Sequence, residues 1–392
     1  MKESMIVSPV TGESRAETSR RIEELLAYMD EVDKAGYYPQ LTVIRNWSEH
    51  NPRISGEFAK PRVFNWYLTR EIHKLLNKGA EIEVTPSRKK IALNDPVLLD
   101  NLDEDVWDFT QKKLFLFRAE RIDLSIDRLQ HYTGTSAEDF QRYILFTNYD
   151  MHVEVFKQKF PDCVQPARHG VQMPAYHHKL ADNLGVTLVN IGVGPANAKT
   201  CTDHIAVLRP DVMIMVGHCG GLRNHQEIGD FVLASGYMRA DSVFDEILPQ
   251  SVPLTPNYLL NLHLQDALEK YNLKYRLGTV YTTDNRNWEL VKKRTLSEIN
   301  MSRSIAIDME SATVATNGFR YRVPNATLLC VSDKPLHGKP KLSGAAQNFY
   351  QNSKEKHLEV VLSAIDAIKK SNPAGLPNDS LRAADEPLMG GS

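Results

Sequence analysis

IAIDMESATVATNGFRYRVPNATLLCVSDKPLHG, residues 305–338, is the stretch that decides the fold of this 392-residue chain. Two short apolar runs, 304–307 and 326–331, each end in an acidic cluster, Asp308-Met309-Glu310 and Ser332-Asp333-Lys334. Between them the spacing is helical, and turn signals are scarce before Gly318. The pattern predicts a strand, a helix and a second strand, with both acidic clusters at strand C-terminal ends. In open parallel α/β sheets ligands bind outside those ends. Capping of the helix N-terminus accounts for Asp308 and Glu310, since negative charge is favoured there. It leaves the second cluster unexplained. Two carboxylates so placed suit a sugar hydroxyl contact and a proton donor.

The alternation continues outward. Strands are expected at 143–147, 186–191, 211–216, 231–235 and 275–282, and helices at 196–208, 258–271, 288–299, 311–319 and 344–370. This is an α/β sandwich on a mixed, mostly parallel sheet. Upstream, Ile22, Leu25, Leu26, Met29 and Val32 mark an amphipathic helix before Gly36. Pro61 opens another helix that Gly79 closes, strands are expected at 41–44 and 80–84, and 121–131 is helical again. Residues 94–108 are acidic and loop-like. The chain thus divides into a smaller α+β N-terminal domain over 1–135, a catalytic domain over 136–371, and a Pro- and Gly-rich extended tail over 372–392.

Hydrophobic content of 42% and charged content of 24% are ordinary for a globular protein. A formal net charge of −2 gives no global attraction to nucleic acid or anionic membrane, so any anion site is local. The first residues lack a signal-peptide core, and no apolar run nears the ~18 residues of a membrane span, so a cytoplasmic protein is expected. The four cysteines show no C-x-x-C spacing and are expected as buried thiols rather than metal ligands.

Four strand-end segments accompany the acidic pair. Leu145-Phe146-Thr147-Asn148-Tyr149 leads from strand to helix. In Ile191-Gly192-Val193-Gly194-Pro195-Ala196-Asn197, glycine permits close backbone approach and the helix N-terminus offers free N–H groups, although packing alone also calls for such a turn. It is not G-x-G-x-x-G, so a dinucleotide site is not expected. Gly217, Gly220 and Gly221 let the chain turn tightly around His218 and Cys219. Those two neighbours point different ways on a strand, against a nucleophile–base pair. Thr282-Thr283-Asp284-Asn285-Arg286-Asn287-Trp288 follows a further strand, and Trp288 fits equally a purine-stacking face and a core position.

Met309-Glu310 resembles the pair that grips ribose in the nucleoside phosphorylase and nucleosidase superfamily, and Ser332-Asp333 resembles its purine-protonating Ser-Asp. DMESATVATNGFRYRVP, TLLCVSDKPLHG, IGVGPANAKT, GHCGGLR, TTDNRNWEL, RLQHYTGT and LFTNY are similar to phrases of the branch that hydrolyses AMP, from about residue 41 to the tail. The resemblance implies a three-layer nucleoside-phosphorylase-like catalytic domain and cleavage of AMP to adenine and ribose 5-phosphate. It implies Asp333 as the acid that protonates the base, with its pKa raised by burial, and Glu310 as the acceptor of ribose hydroxyls. Met309 then packs beneath the ribose, Asn148 and Gly194 line the face of water attack, and Gly217 and Ser332 complete the binding surface. Arg223 is a candidate for the 5′-phosphate, with a surface salt bridge as the alternative.

Met215 stands where phosphorylases carry a phosphate-gripping Arg, so water is expected as the nucleophile. The chemistry calls for no metal or organic cofactor. The family also implies MgATP as an allosteric activator, inhibition by phosphate, a homo-oligomer of hexameric size, and an abbreviated regulatory or assembly domain at the N-terminus. Two other functions compete: a nucleosidase or phosphorylase of unphosphorylated purine nucleosides, and a non-catalytic nucleotide-binding regulator. The presence of both Glu310 and Asp333 argues against the second. The phrase containing Tyr176 and His177 matches the same branch without a derivable role.

Overall fold

The computed structural model describes residues 3–45, 52–91, 114–340 and 343–377. The acidic stretch at 94–108 and most of the tail lie outside those residues.

The N-terminal part is a small antiparallel sheet backed by two helices. Strands β1 (Met5–Val7), β2 (Tyr37–Ile44), β3 (Arg53–Glu57) and β4 (Glu81–Lys90) run in the order β1-β4-β2-β3. Helix α1 (Arg15–Lys34) starts at a capping box: the Ser14 hydroxyl accepts from the Glu17 amide while the Glu17 carboxylate accepts from the Ser14 amide. It buries Ile22, Leu25, Leu26, Met29 and Val32, the positions its periodicity marks. Helix α2 (Asn65–Asn77) lies beside it and buries Leu68, Ile72 and Leu75. β1, at three residues, is too short to stand out in the sequence, and β3 is too polar.

Helix α3 (Ala119–Thr133) packs on the following domain rather than on the small sheet alone. Its Arg121 donates to the Asp203 carbonyl at 3.0 Å, and Ser125 lies 3.1 Å from His204 Nδ1. The apolar core runs without a break from Leu25, Leu41 and Leu68 through Ile122 and Ile126 to Ile205 and Met215. Arg70 of α2 and Arg142 grip the two oxygens of buried Asp211 at 2.8 and 2.7 Å.

From residue 143 the chain builds an eight-stranded mixed sheet. Its strands are β5 (Tyr143–Thr147), β6 (Ala175–His178), β7 (Val186–Asn190), β8 (Val212–Gly221), β9 (Phe231–Ala240), β10 (Tyr275–Thr283), β11 (Ala306–Asp308) and β12 (Asn325–Asp333), ordered β11-β10-β9-β12-β8-β5-β7-β6. Most neighbours are parallel; β6 with β7 and β9 with β12 are antiparallel. β11 also returns antiparallel to the end of β8, closing β8, β12, β9, β10 and β11 into a ring. Helices α5 (Pro195–Ile205) and α8 (Ser311–Arg320) pack together on one side, and α4 (Asp150–Lys159) and α6 (Tyr258–Lys270) pack on α9 (Ser343–Ser371) on the other. The expected α/β class and the strand–helix–strand reading of 305–338 are what the chain forms. Helix α7 (Lys292–Ser302) completes the set after a short 3-10 turn, Trp288–Val291.

The start of the tail is not extended away from the body: Leu376 is buried, and the Pro377 carbonyl accepts from Asn257 at 3.5 Å. The four cysteines are buried and free, as expected. Among the described residues no helix is long and apolar enough to cross a membrane.

Candidate active site

The parallel strands deliver their C-terminal ends to one place because the sheet closes on itself. Gly220 of β8 is registered with Ile307 of β11 on one side and with Asp333 of β12 on the other. A Cβ at Gly220 would lie 3.0 Å from Ile307 Cγ2 and 3.5 Å from Asp333 Oδ2, so a residue without one lets the two acidic strand ends converge.

Asp308 serves the backbone. Its Oδ1 accepts from Thr282 Oγ1 at 2.6 Å, and its Oδ2 accepts from the Ser311 hydroxyl and from the Ser311 amide at 2.9 Å. It thus caps α8, as the capping argument expects, and holds β11 against β10.

Glu310 is freed for another task. It is 2% exposed, and its Oε1 accepts from the Gly194 amide at 2.7 Å while its Oε2 accepts from Asn148 Nδ2 at 3.1 Å. Burial pushes its pKa up to about 8, the nearby Asp308 charge adds to the rise, and the two hydrogen bonds oppose it. Gly194 has φ of 111° and precedes Pro195 at the first position of α5, a conformation that a side chain would resist. That backbone directs its N–H at the carboxylate instead of into the helix. Asn148 keeps Oδ1 buried without a hydrogen-bond partner, and a Cβ at Gly217 would come within 3.6 Å of that oxygen. Asn148, Gly194, Gly217 and Glu310 therefore form one constellation, assembled from β5, the turn after β7, β8 and the turn after β11.

Asp333 ends β12, 9% exposed, and its Oδ1 accepts from the Ser332 hydroxyl at 2.6 Å. The same hydroxyl reaches the Cys219 carbonyl at 3.3 Å, which ties the pair to β8. Met309 is half-buried in the turn between β11 and α8. Met215 is wholly buried inside β8, so this strand presents no cation at that position.

Two expected contacts are placed otherwise. Arg223 Nε donates to the Ser304 carbonyl at 2.9 Å and its Nη2 to the Ile299 carbonyl at 3.2 Å, so the guanidinium pins α7 to the end of β8. Trp288 is 5% exposed and packs with Leu222, Tyr281, Ile299 and Ile307, which is the core alternative rather than an open stacking face. His177 is also structural. It is fully buried, with Nδ1 at 2.9 Å from Thr187 Oγ1 and Nε2 at 2.9 Å from Thr135 Oγ1, and desolvation takes its pKa down to about 3. The β6 edge strand that carries it has too few residues to show a period in the sequence.

The arrangement offers a buried carboxyl at one strand end, and a second carboxylate held by two N–H donors beside an unfilled acceptor. That is what cleavage of a glycosidic bond with an acid and a charge-stabilising base requires.

Comparison with known proteins points the same way. The model of the phosphorylase superfamily matches residues 142–366. AMP nucleosidase of Escherichia coli K12 is 39% identical, over 89% of this chain and 88% of that protein. The crystal structure of AMP nucleosidase from Bacteroides thetaiotaomicron superposes with a TM-score of 0.55 at 29% identity, covering 64% of this chain and 99% of that one. Purine nucleoside phosphorylase from Toxoplasma gondii shares the fold at 18% identity, with a TM-score of 0.52 over 61% of this chain and 97% of that one.

Proposed function

The chain belongs to the phosphorylase superfamily and within it to the AMP nucleosidases, and we propose that Asp333 and Glu310 carry the chemistry. It is a glycosidase that hydrolyses AMP to adenine and ribose phosphate.

In this mechanism the Asp333 carboxyl donates a proton to the five-membered ring of adenine and so improves the leaving group. The Ser332 hydroxyl, 2.6 Å from Oδ1, orients that carboxyl toward the base. As the C–N bond opens, the sugar becomes cationic. Glu310 accepts the ribose hydroxyls; its pKa, about 8 in the empty site, is drawn down by the positive charge that develops on the sugar, and the ionised carboxylate stabilises that cation away from solvent. Met309 packs beneath the ribose. Water attacks from the side of Asn148 and Gly194. The observation that carries this reading is the unfilled, buried Asn148 Oδ1 beside the Glu310 carboxylate, an acceptor in place for a water or a sugar hydroxyl. Arg223 and Trp288 have no part in it.

The proposal extends to a cytoplasmic homo-oligomer, of hexameric size, regulated by MgATP and phosphate through the N-terminal part. The N-terminal part and the last helix share a cleft of about 1340 Å³ where an effector could sit, with Arg15, Arg62, His73 and Lys369 on its wall beside Glu13, Glu23 and Asp30. The test of substrate is adenine release from AMP and from adenosine under the same conditions. A strong preference for AMP is expected; equal turnover of the two would rule out recognition of the 5′-phosphate.

A further inference from the structure

On the sheet face opposite Gly217, three histidines from three elements meet. His152 of α4, His218 of β8 and His357 of α9 are buried, and one ring nitrogen from each lies within 4.8 Å of the others. The rings of His152 and His218 stack at 5.4 Å and 9°, and His357 stands edge-on to both, at 5.0 and 5.7 Å. A stacked aromatic core accounts for the packing. It does not account for the nitrogens.

The Leu328 carbonyl only accepts, so His357 Nε2, 2.9 Å away, carries the proton. Nδ1 of that ring then keeps its lone pair, buried and without a hydrogen-bond partner. His152 Nδ1 lies 2.7 Å from Thr147 Oγ1, and its Nε2 is likewise buried without a hydrogen-bond partner. Buried polar atoms are nearly always satisfied, and two neighbouring rings with unfilled nitrogens in one apolar place are a departure from that rule. The outer contacts have the form seen around metal-bound histidine, where the second ring nitrogen is held by a carbonyl or another polar group that fixes the tautomer.

We propose that His152, His218 and His357 bind a divalent first-row transition ion, zinc foremost, that clamps α4, β8 and α9 behind the Thr147–Asn148 turn. Imidazole nitrogen with no carboxylate in the set favours zinc, cobalt, nickel or copper over magnesium and calcium. Three histidines leave the fourth tetrahedral position to water or hydroxide. Zinc–nitrogen bonds of about 2.0–2.1 Å bring the ligand atoms closer than their present outer separation, so the rings turn inward on binding. The ion takes no part in breaking the glycosidic bond. Its effect on catalysis runs through Thr147, which touches His152 and directly precedes Asn148.

The test uses the full chain purified without a metal-affinity tag, stripped with chelator, and titrated with zinc by calorimetry and with cobalt by visible absorption. The expected result is one ion per chain, a higher Tm with zinc, and an intense tetrahedral cobalt band. His152→Gln and His357→Gln each weaken binding at least ~10-fold. Absence of stoichiometric binding by the native protein overturns the proposal, as does undiminished binding by both variants. Should the variants not fold, X-ray absorption at the zinc edge of the native protein decides. Imidazole scattering from three ligands at about 2.0 Å supports the site, and fewer than two imidazoles overturns it.

Discussion

The carboxylate of Glu310 receives the main-chain N–H of Gly194 at 2.7 Å, across 116 residues of sequence. That contact joins the turn after β11 to the N-terminus of α5, and Asn148 adds β5 from the other side of the carboxylate. One side chain therefore reports whether three segments are in register.

Replacing Asp333 with Asn tests the acid. The amide keeps the shape and can still accept from Ser332, but it has no acidic proton to give. AMP turnover is expected to fall ~100- to 10,000-fold, with AMP binding and the melting curve little changed. A variant that retains near-normal turnover removes Asp333 from the acid role.

Glu310→Gln tests the electrostatics through pH. The Glu310 carboxyl has its pKa raised from 4.5 to about 8 in the folded chain. The folded state therefore binds the proton more tightly than the unfolded state. The protonated side chain's contribution to stability is complete below the unfolded pKa and is lost as pH rises through about 8. Glutamine stays neutral, and Asn148 can turn its unfilled Oδ1 toward the new amide. The Tm of the variant relative to the native protein is expected to rise between pH 5 and pH 9, while turnover is lost at both. A constant Tm difference across that range would contradict a carboxyl with a raised pKa.

Asp211→Asn tests how the N-terminal part is attached. Removing the charge leaves Arg70 and Arg142 facing one another without their shared carboxylate. Breaking a buried ion pair from one side costs roughly 3–5 kcal/mol, and the partial exposure of Arg70 places this case near the lower figure. Denaturant unfolding measures it. A change within error would show that α2 is held by apolar packing alone.

The sequence makes some of this legible and hides the rest for physical reasons. Residues 305–338 announce themselves because apolar runs, helical spacing and acidic strand ends agree locally, and the structure keeps all three. Asn148, Gly194 and Glu310 could be named singly, but their hydrogen bonds depend on sheet closure, which no window of sequence contains. Arg223 and Trp288 suited a ligand by type, and only their surroundings show carbonyls and core. A division near residue 135 follows the motifs, whereas α3 contributes to a core shared with α5. The histidines at 152, 218 and 357 are too far apart in sequence to suggest a cluster, and only the packing of α4 and α9 on the sheet brings them together.

Met215 is buried in β8, where the resemblance to phosphorylases calls for a phosphate-gripping Arg, and hydrolysis of AMP rather than phosphorolysis follows from that exchange. The direct measurement is chromatographic product analysis of AMP incubated with the pure protein, with and without inorganic phosphate. Adenine and ribose 5-phosphate are expected in equal amounts under both conditions. Formation of ribose 1,5-bisphosphate when phosphate is present, or no cleavage of AMP under either condition, would contradict hydrolysis of AMP.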